Sequence, residues 1–321
     1  MVNSLLEVQD LRKHFPVRAG VFSRVMGHIR AVNDVTFSIE PGEVFGLVGE
    51  SGCGKTTTGK MVLRLIKPTS GKVIFEGIDI MSISGEDMRR LRRKMQIIFQ
   101  DPYASLNPRM TVGSIVSEPF HIHKIGNPHE RLGMSVELLA KVGIGSDSLN
   151  RYPHEFSGGQ RQRIGIARAI ALKPKLIVCD EPLSALDVSI QAQVTNLLMD
   201  LRAEQNMAYL FISHDLSVVE HMCDRVAVMY LGKIVEEGSS YDVYSNPIHP
   251  YTEALLSATP QADPKSTQNR ILLKGDVPSP MNPPDGCVFH TRCPIATFDC
   301  KKITPQLEAR EPGHRVACIV K

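Results

Sequence analysis

Short apolar runs bounded by turn residues recur along the chain at 6–8, 35–39, 44–48, 72–75, 96–99, 176–179, 208–212 and 225–230. Several are β-branched and too short for helices, so they are strand candidates. Between them lie segments of helical period, including 57–66, stopped by Pro68, and 164–171, closed by Pro174. This alternation predicts an α/β fold with a mostly parallel sheet and helices on its faces. From 111 to 150 the pattern turns helical, most clearly over 135–142, and reads as a helical insertion into the α/β core. After Tyr244 the chain becomes rich in proline and turn residues, as in Asp276-Val277-Pro278-Ser279-Pro280-Met281-Asn282-Pro283-Pro284-Asp285-Gly286, which places a boundary near Asn246. The expected organisation is therefore 1–245, with a helical subdomain at about 103–160, followed by 246–321.

One strand candidate, Val44-Phe45-Gly46-Leu47-Val48, runs directly into Gly49-Glu50-Ser51-Gly52-Cys53-Gly54-Lys55-Thr56. That spacing is a phosphate-binding loop. Its glycines let backbone N–H groups turn inward as an anion nest, Lys55 can reach the β- and γ-phosphates, and the Thr56 hydroxyl can ligate Mg²⁺. A nucleoside triphosphate is the ligand this predicts. A second run, Leu176-Ile177-Val178-Cys179-Asp180-Glu181, ends in two acids. In a triphosphatase Asp180 can hold Mg²⁺ directly or through water, and Glu181 can polarise the attacking water.

Upstream of those acids lies Phe156-Ser157-Gly158-Gly159-Gln160-Arg161-Gln162-Arg163. Ser157 is placed to cap the helix that follows, and the glycines leave backbone donors exposed at a positive helix terminus. This peptide resembles the signature motif of ABC-type ATPases. The resemblance extends to Gln100, which matches the family's glutamine loop, to Ser184-Ala185-Leu186-Asp187, which matches its D-loop, and to His214, which matches its switch histidine. Phe15 falls where the family places an aromatic that stacks on adenine; a core or surface role for it is equally compatible with the sequence.

The resemblance implies an ABC-type nucleotide-binding domain with an antiparallel β part beside its mostly parallel core. It implies catalytic roles for Glu181, His214 and Gln100, and nucleotide contacts from Phe15, Gly49, Ser51, Gly52, Cys53, Gly54, Lys55, Thr56, Thr57, Ser157, Gly158, Gly159, Gln160 and Asp187. Mg²⁺ would be held by Thr56, Asp180 and Gln100. It also implies head-to-tail dimerisation that buries ATP between the phosphate loop of one cassette and the signature peptide of the other. More narrowly, the chain resembles the ATPase subunits of oligopeptide and dipeptide importers, through the phosphate loop, Asp101-Pro102-Tyr103-Ala104-Ser105-Leu106-Asn107-Pro108 and Asn246-Pro247-Ile248-His249-Pro250-Tyr251-Thr252. An insertion at 17–30 looks like the F-type subunit. Such subunits pair with a paralogous D-type ATPase on the cytoplasmic face of the membrane, beneath two permease subunits served by an external peptide-binding protein. The same motifs also occur with other cargo, such as nickel, and a soluble non-transport ABC ATPase shares the core.

Composition narrows the picture in three places. The net charge of +3 is mild, and the basic run Met88-Arg89-Arg90-Leu91-Arg92-Arg93-Lys94 has no interleaved aromatics, so a solvated helix face is expected and no nucleic-acid partner. No run approaches the ~20 apolar residues needed to cross a bilayer, and Met1-Val2-Asn3-Ser4-Leu5-Leu6-Glu7 lacks the build of a signal peptide, so a soluble, peripheral protein is expected. Of seven cysteines, Cys53, Cys179 and Cys223 are scattered and read as core or spacer residues, whereas Cys287, Cys293, Cys300 and Cys318 cluster in the tail. Disulfides do not suit a reducing compartment, and the spacings are wide for zinc. A [4Fe–4S] cluster on the four thiols, zinc, and unliganded thiols are the three readings, and the importer resemblance implies the first. His290 and His314 are possible substitute ligands or surface residues.

Overall fold

A computed structural model describes residues 4–20, 23–258 and 271–321. Met1, Val2 and Asn3 of the N-terminal run, and Val21 and Phe22 of the insertion, lie outside the described residues. Contacts divide the chain into two compact units. One is built from the described residues up to Glu40, Val44–Ser82 and those from Ser213 on; the other from Pro41–Glu43 and Ile83–Ile212.

The first unit contains an antiparallel sheet in which Leu6–Ala19 pairs with Arg24–Ile39 on one side and Ser70–Phe75 on the other, with Ile78–Asp79 at the edge. The candidates at 6–8 and 35–39 are only the buried ends of long strands. The insertion at 17–30 is the far end of this hairpin, with Phe15 opposite Ile29 and Val17 opposite Gly27. Its outer half is exposed on both faces, so no apolar alternation is required there and periodicity gives no strand signal.

Val44–Val48 pairs in parallel with Arg225–Tyr230, which continues antiparallel through Lys233–Ser239 and His314–Val316 to Glu308–Glu311. Lys233–Ser239 escapes the apolar pattern because two acids sit at its centre. Burying them is tolerable because both are paired. Glu236, wholly buried, accepts from the N–H of Ile248 (2.7 Å) and His249 (3.0 Å) and bonds His314 Nε2 (2.8 Å). Glu237 accepts from Arg225 and, at 2.5 Å, from Arg315. The tail thus adds strands to the sheet and places Phe289 in its core instead of forming a core of its own. His314 is buried and committed to Glu236, so the surface role considered for it does not hold.

In the second unit Met95–Ile98, Leu176–Asp180 and Ala208–Ser213 run parallel, Met95 opposite Leu176 and Leu176 opposite Ala208. Helices follow from clear start signals. Thr111 caps Val112–Ile122, and Asn127 with Glu130 forms a reciprocal capping box at Pro128–Lys141. The basic run spans the end of helix Gly85–Leu91, where Met88 and Leu91 are buried and Arg89, Arg90, Arg92, Arg93 and Lys94 are exposed. Among the described residues, no helix is long and apolar enough to cross a membrane.

Candidate functional site

The phosphate loop is shaped by its glycines. Gly49 (φ 147°), Gly52 (φ 80°) and Gly54 (φ 111°) all lie in the region that L side chains avoid. At two of them space is closed as well: a Cβ on Gly49 would stand 2.1 Å from the Met229 carbonyl oxygen, and one on Gly54 2.2 Å from that of Ala31. Gly54 opens helix Lys55–Val62 without a side-chain cap, which leaves its first N–H groups to the loop. Lys55 is buried (4% exposed), and its ammonium donates to the carbonyls of Gly49 (2.7 Å) and Glu50 (3.0 Å). An ammonium has three donors, and the third meets only the Cys53 sulfur at 3.8 Å, so a phosphate oxygen would gain a strong partner here. Burial pushes the Cys53 thiol up against the opposing charge of Lys55, which keeps it a neutral spacer. Ser51 is exposed at the loop tip, and Thr56 and Thr57 are half-buried in the first helical turn. The residues therefore fit a triphosphate.

In the second unit Asp180 is buried at the end of its strand (4% exposed), and Glu181 follows at φ 46°, a left-handed conformation costly for a glutamate. The Glu181 N–H donates to Ile212 O (2.9 Å), and Ser184 donates to the Glu181 carbonyl, so the turn is held from both sides. Gln100 Nε2 donates to Glu181 Oε2 at 2.9 Å. Two of the three predicted catalytic residues are thereby brought together, with the amide aiming the carboxylate.

The signature peptide is a complete capping box: Gln160 N–H donates to Ser157 Oγ (3.3 Å) and Ser157 N–H to Gln160 Oε1 (3.0 Å) at the head of helix Gly158–Ile170. A Cβ on Gly159 would meet Ile190 Cγ2 at 2.5 Å, so that glycine is required by the approach of helix Val188–Gln205. Asp187 is the N-cap of the latter helix and is exposed with Val188. Sequence reasoning quoted Arg161 only as part of the motif. It is buried, its guanidinium lies 3.7 Å from the Tyr103 ring centroid, and it donates to the carbonyls of Pro153 (2.6 Å) and His154 (3.2 Å). Arg161 thereby ties the signature helix to the segment after Gln100.

His214 is exposed between strand Ala208–Ser213 and helix Leu216–Met222, on a turn in which Asp215 N–H donates to Ser213 Oγ (2.9 Å). Phe15 lies half-buried on the antiparallel sheet, with the Lys13 ammonium 4.9 Å from its ring centroid.

None of the seven cysteines forms a disulfide, and Cys53, Cys179 and Cys223 are buried. The tail thiols share a neighbourhood: burial pushes Cys287 up, and charge on Cys300, Cys318 or Cys293 would push it further. The Cys300 sulfur accepts the Thr297 N–H (3.4 Å), and the neighbouring backbone at Phe289 and Ile295 works against the upward push of burial on Cys287 and Cys293. Such an N–H···S bond favours thiolate, the form a metal takes. Among the described residues, no group of three or more His, Cys, Asp or Glu side chains is arranged to hold a metal ion. His290 Nδ1 is engaged with the Cys287 carbonyl oxygen (2.9 Å).

Known proteins match this arrangement over most of the chain. Residues 32–184 match the family described as ABC transporter, and residues 235–300 the oligopeptide/dipeptide transporter C-terminal region. The oligopeptide transport ATP-binding protein AppF of Bacillus subtilis is 55% identical over 318 residues, 98% of this chain and 97% of that protein. A putative peptide import ATP-binding protein of Brucella ovis is 56% identical over 98% of this chain and 97% of its own length. Among solved structures, a dimeric ATP-binding cassette in a post-hydrolysis state with ADP and Pi bound superposes with a TM-score of 0.65 at 28% identity, covering 73% of this chain and 98% of that one.

Proposed function

Because the chain belongs to the ABC transporter family of ATPases and carries the oligopeptide/dipeptide transporter C-terminal region, we propose that it powers import of di- and oligopeptides. The observation that carries this is the full-length likeness to AppF joined to an intact set of ATPase motifs, including the Gln100–Glu181 bond at 2.9 Å.

The roles are those the family resemblance implies, and the Lys55 and Gln100–Glu181 geometry supports them. Lys55 and the inward N–H groups of the phosphate loop bind the triphosphate. Thr56, Asp180 and Gln100 would hold Mg²⁺, which neutralises phosphate charge. Glu181, oriented by Gln100, polarises the attacking water, and His214 contacts the γ-phosphate. Phe15 stacks on adenine. The signature residues Ser157, Gly158, Gly159 and Gln160, with Asp187, serve the nucleotide of a second cassette, a D-type paralogue. ATP holds the two cassettes together, and hydrolysis releases them, which gives a two-state drive. The pair works against two permease subunits on the cytoplasmic face of the membrane, with an external binding protein delivering peptide. Residues 1–245 form the ATPase domain, with its helical subdomain near 103–160, and 246–321 the importer-type extension.

The same reading places a [4Fe–4S] cluster on Cys287, Cys293, Cys300 and Cys318. It is supported by four thiols outside any disulfide and by the Cys287 N–H bond to the Cys300 carbonyl (2.8 Å), which brings two of them together. Iron and acid-labile sulfide on anaerobically purified chain test it: about four of each per chain, lost in a Cys293→Ser, Cys300→Ser variant, is expected. Zinc, or no metal, overturns the cluster and leaves the ATPase untouched. Import is tested in proteoliposomes holding the complete transporter, where peptide-loaded binding protein should stimulate ATP hydrolysis. Stimulation by a nickel-loaded system instead would reassign the cargo.

A further inference from the structure

The C-terminal segment hydrogen-bonds the phosphate loop at Glu50. Arg292 Nη1 donates to Glu50 Oε2 at 3.0 Å and Nη2 to Oε1 at 3.4 Å, a fork across 242 positions of sequence. The pair is shielded, with the Arg292 side chain 10% and the Glu50 side chain 31% exposed, so it escapes much of the solvent screening that weakens surface pairs. The rest of Glu50 is held as well: its N–H donates to Tyr251 Oη (2.9 Å) and its carbonyl accepts from Lys55 (3.0 Å). Arg292 is itself fixed, because its N–H donates to Phe289 O (3.0 Å) and Phe289 packs against Tyr230 and Tyr251 with ring centroids 5.3 and 5.4 Å away.

A carboxylate inside a loop that gathers a polyanion works against that loop. Neither its position nor its charge helps bind phosphate unless something neutralises it. We propose that Arg292 is a positioning residue of the nucleotide site: it cancels the Glu50 charge and pins the phosphate loop, so that ATP affinity is set in part by the C-terminal segment. This rests on the ATPase reading.

Steady-state MgATP hydrolysis by the chain assembled with its paralogous cassette and permease subunits tests it. Arg292→Met keeps the apolar stem and removes the charge. Its KM for ATP should rise about tenfold with kcat within about twofold, the split expected when binding is lost equally in ground and transition states. In a Glu50→Gln background the same substitution should leave that background's KM unmoved, because no carboxylate remains to be cancelled. A wild-type KM in Arg292→Met, or an equal rise in both backgrounds, overturns the proposal; the second result would mean general loosening of the fold. Arg292→Lys, which keeps the charge and loses the fork, gives the same contrast at about threefold and serves if the methionine variant does not fold. Absence of hydrolysis in the assembled wild-type complex would instead count against the ATPase reading.

Discussion

The nucleotide machinery and the C-terminal segment are held together by different physics. In the machinery the work is done by backbone: glycines at positive φ, N–H groups at helix starts, and a glutamate forced to φ 46° at a strand end. In the C-terminal segment it is done by side chains paired over long separations, His314 on Glu236, Arg315 on Glu237 and Arg292 on Glu50. Strain and unsatisfied donors are tolerated where a ligand will use them, whereas buried charge in the scaffold is kept only where a partner satisfies it. Substitutions in the first region should therefore cost activity, and those at the Glu236 and Glu237 pairs should cost stability; Arg292, which reaches the phosphate loop, is the one expected to act on the nucleotide site.

The largest effect expected is at Glu181. Glu181→Gln removes the carboxylate proposed to polarise the attacking water and keeps an amide that can still bond Gln100. Hydrolysis should fall by about 10²–10⁴-fold while ATP binding persists, and single-turnover hydrolysis alongside equilibrium ATP binding checks both halves. The contrasting variant is Glu236→Ala, which strands the N–H groups of Ile248 and His249 and the buried His314. Urea denaturation should show about 3–5 kcal/mol of lost stability, with turnover per folded molecule retained. Loss of turnover without loss of stability would erase the distinction between the regions.

That distinction also explains what the sequence disclosed. The phosphate loop, Asp180, Glu181 and the signature peptide are local patterns whose chemistry needs fixed residues at fixed spacing, so they are readable residue by residue. Gly49 and Gly54 are required both by φ and by carbonyl oxygens 2.1 and 2.2 Å from a Cβ. The strand Lys233–Ser239 was not readable, because its burial depends on partners as far away as Arg315. The outer hairpin was hidden for the opposite reason, since neither face is covered and no pattern is imposed. Arg292 and Glu50 carry no sequence signal of their pairing; only the fold brings them together.

Two smaller effects sharpen the comparison. Lys55→Ala should weaken ATP binding by about 10²-fold in equilibrium titration, since on the proposed role the ammonium neutralises phosphate in ground and transition states alike. In the C-terminal segment, burial foremost, then the charge of Lys321, holds His249 down to about 3, where its Nδ1 accepts from Tyr251 N–H (3.1 Å). The folded state thus resists a proton that the unfolded chain takes up near pH 6.5. The contribution of His249 is complete above that pH and is lost as pH falls toward 3, at up to about 1.4 kcal/mol per pH unit. His249→Asn, which can cap the same helix, should flatten this part of the stability–pH curve relative to wild type.

Uptake of a radiolabelled peptide, measured in cells deleted for this chain and supplied with either the wild-type or the Glu181→Gln form at equal abundance, joins the chemistry to the cargo in one experiment. Uptake restored by the wild type and absent with Glu181→Gln is the expected result. Equal uptake with both forms, or none with either while another solute accumulates, would contradict an ATP-driven peptide importer.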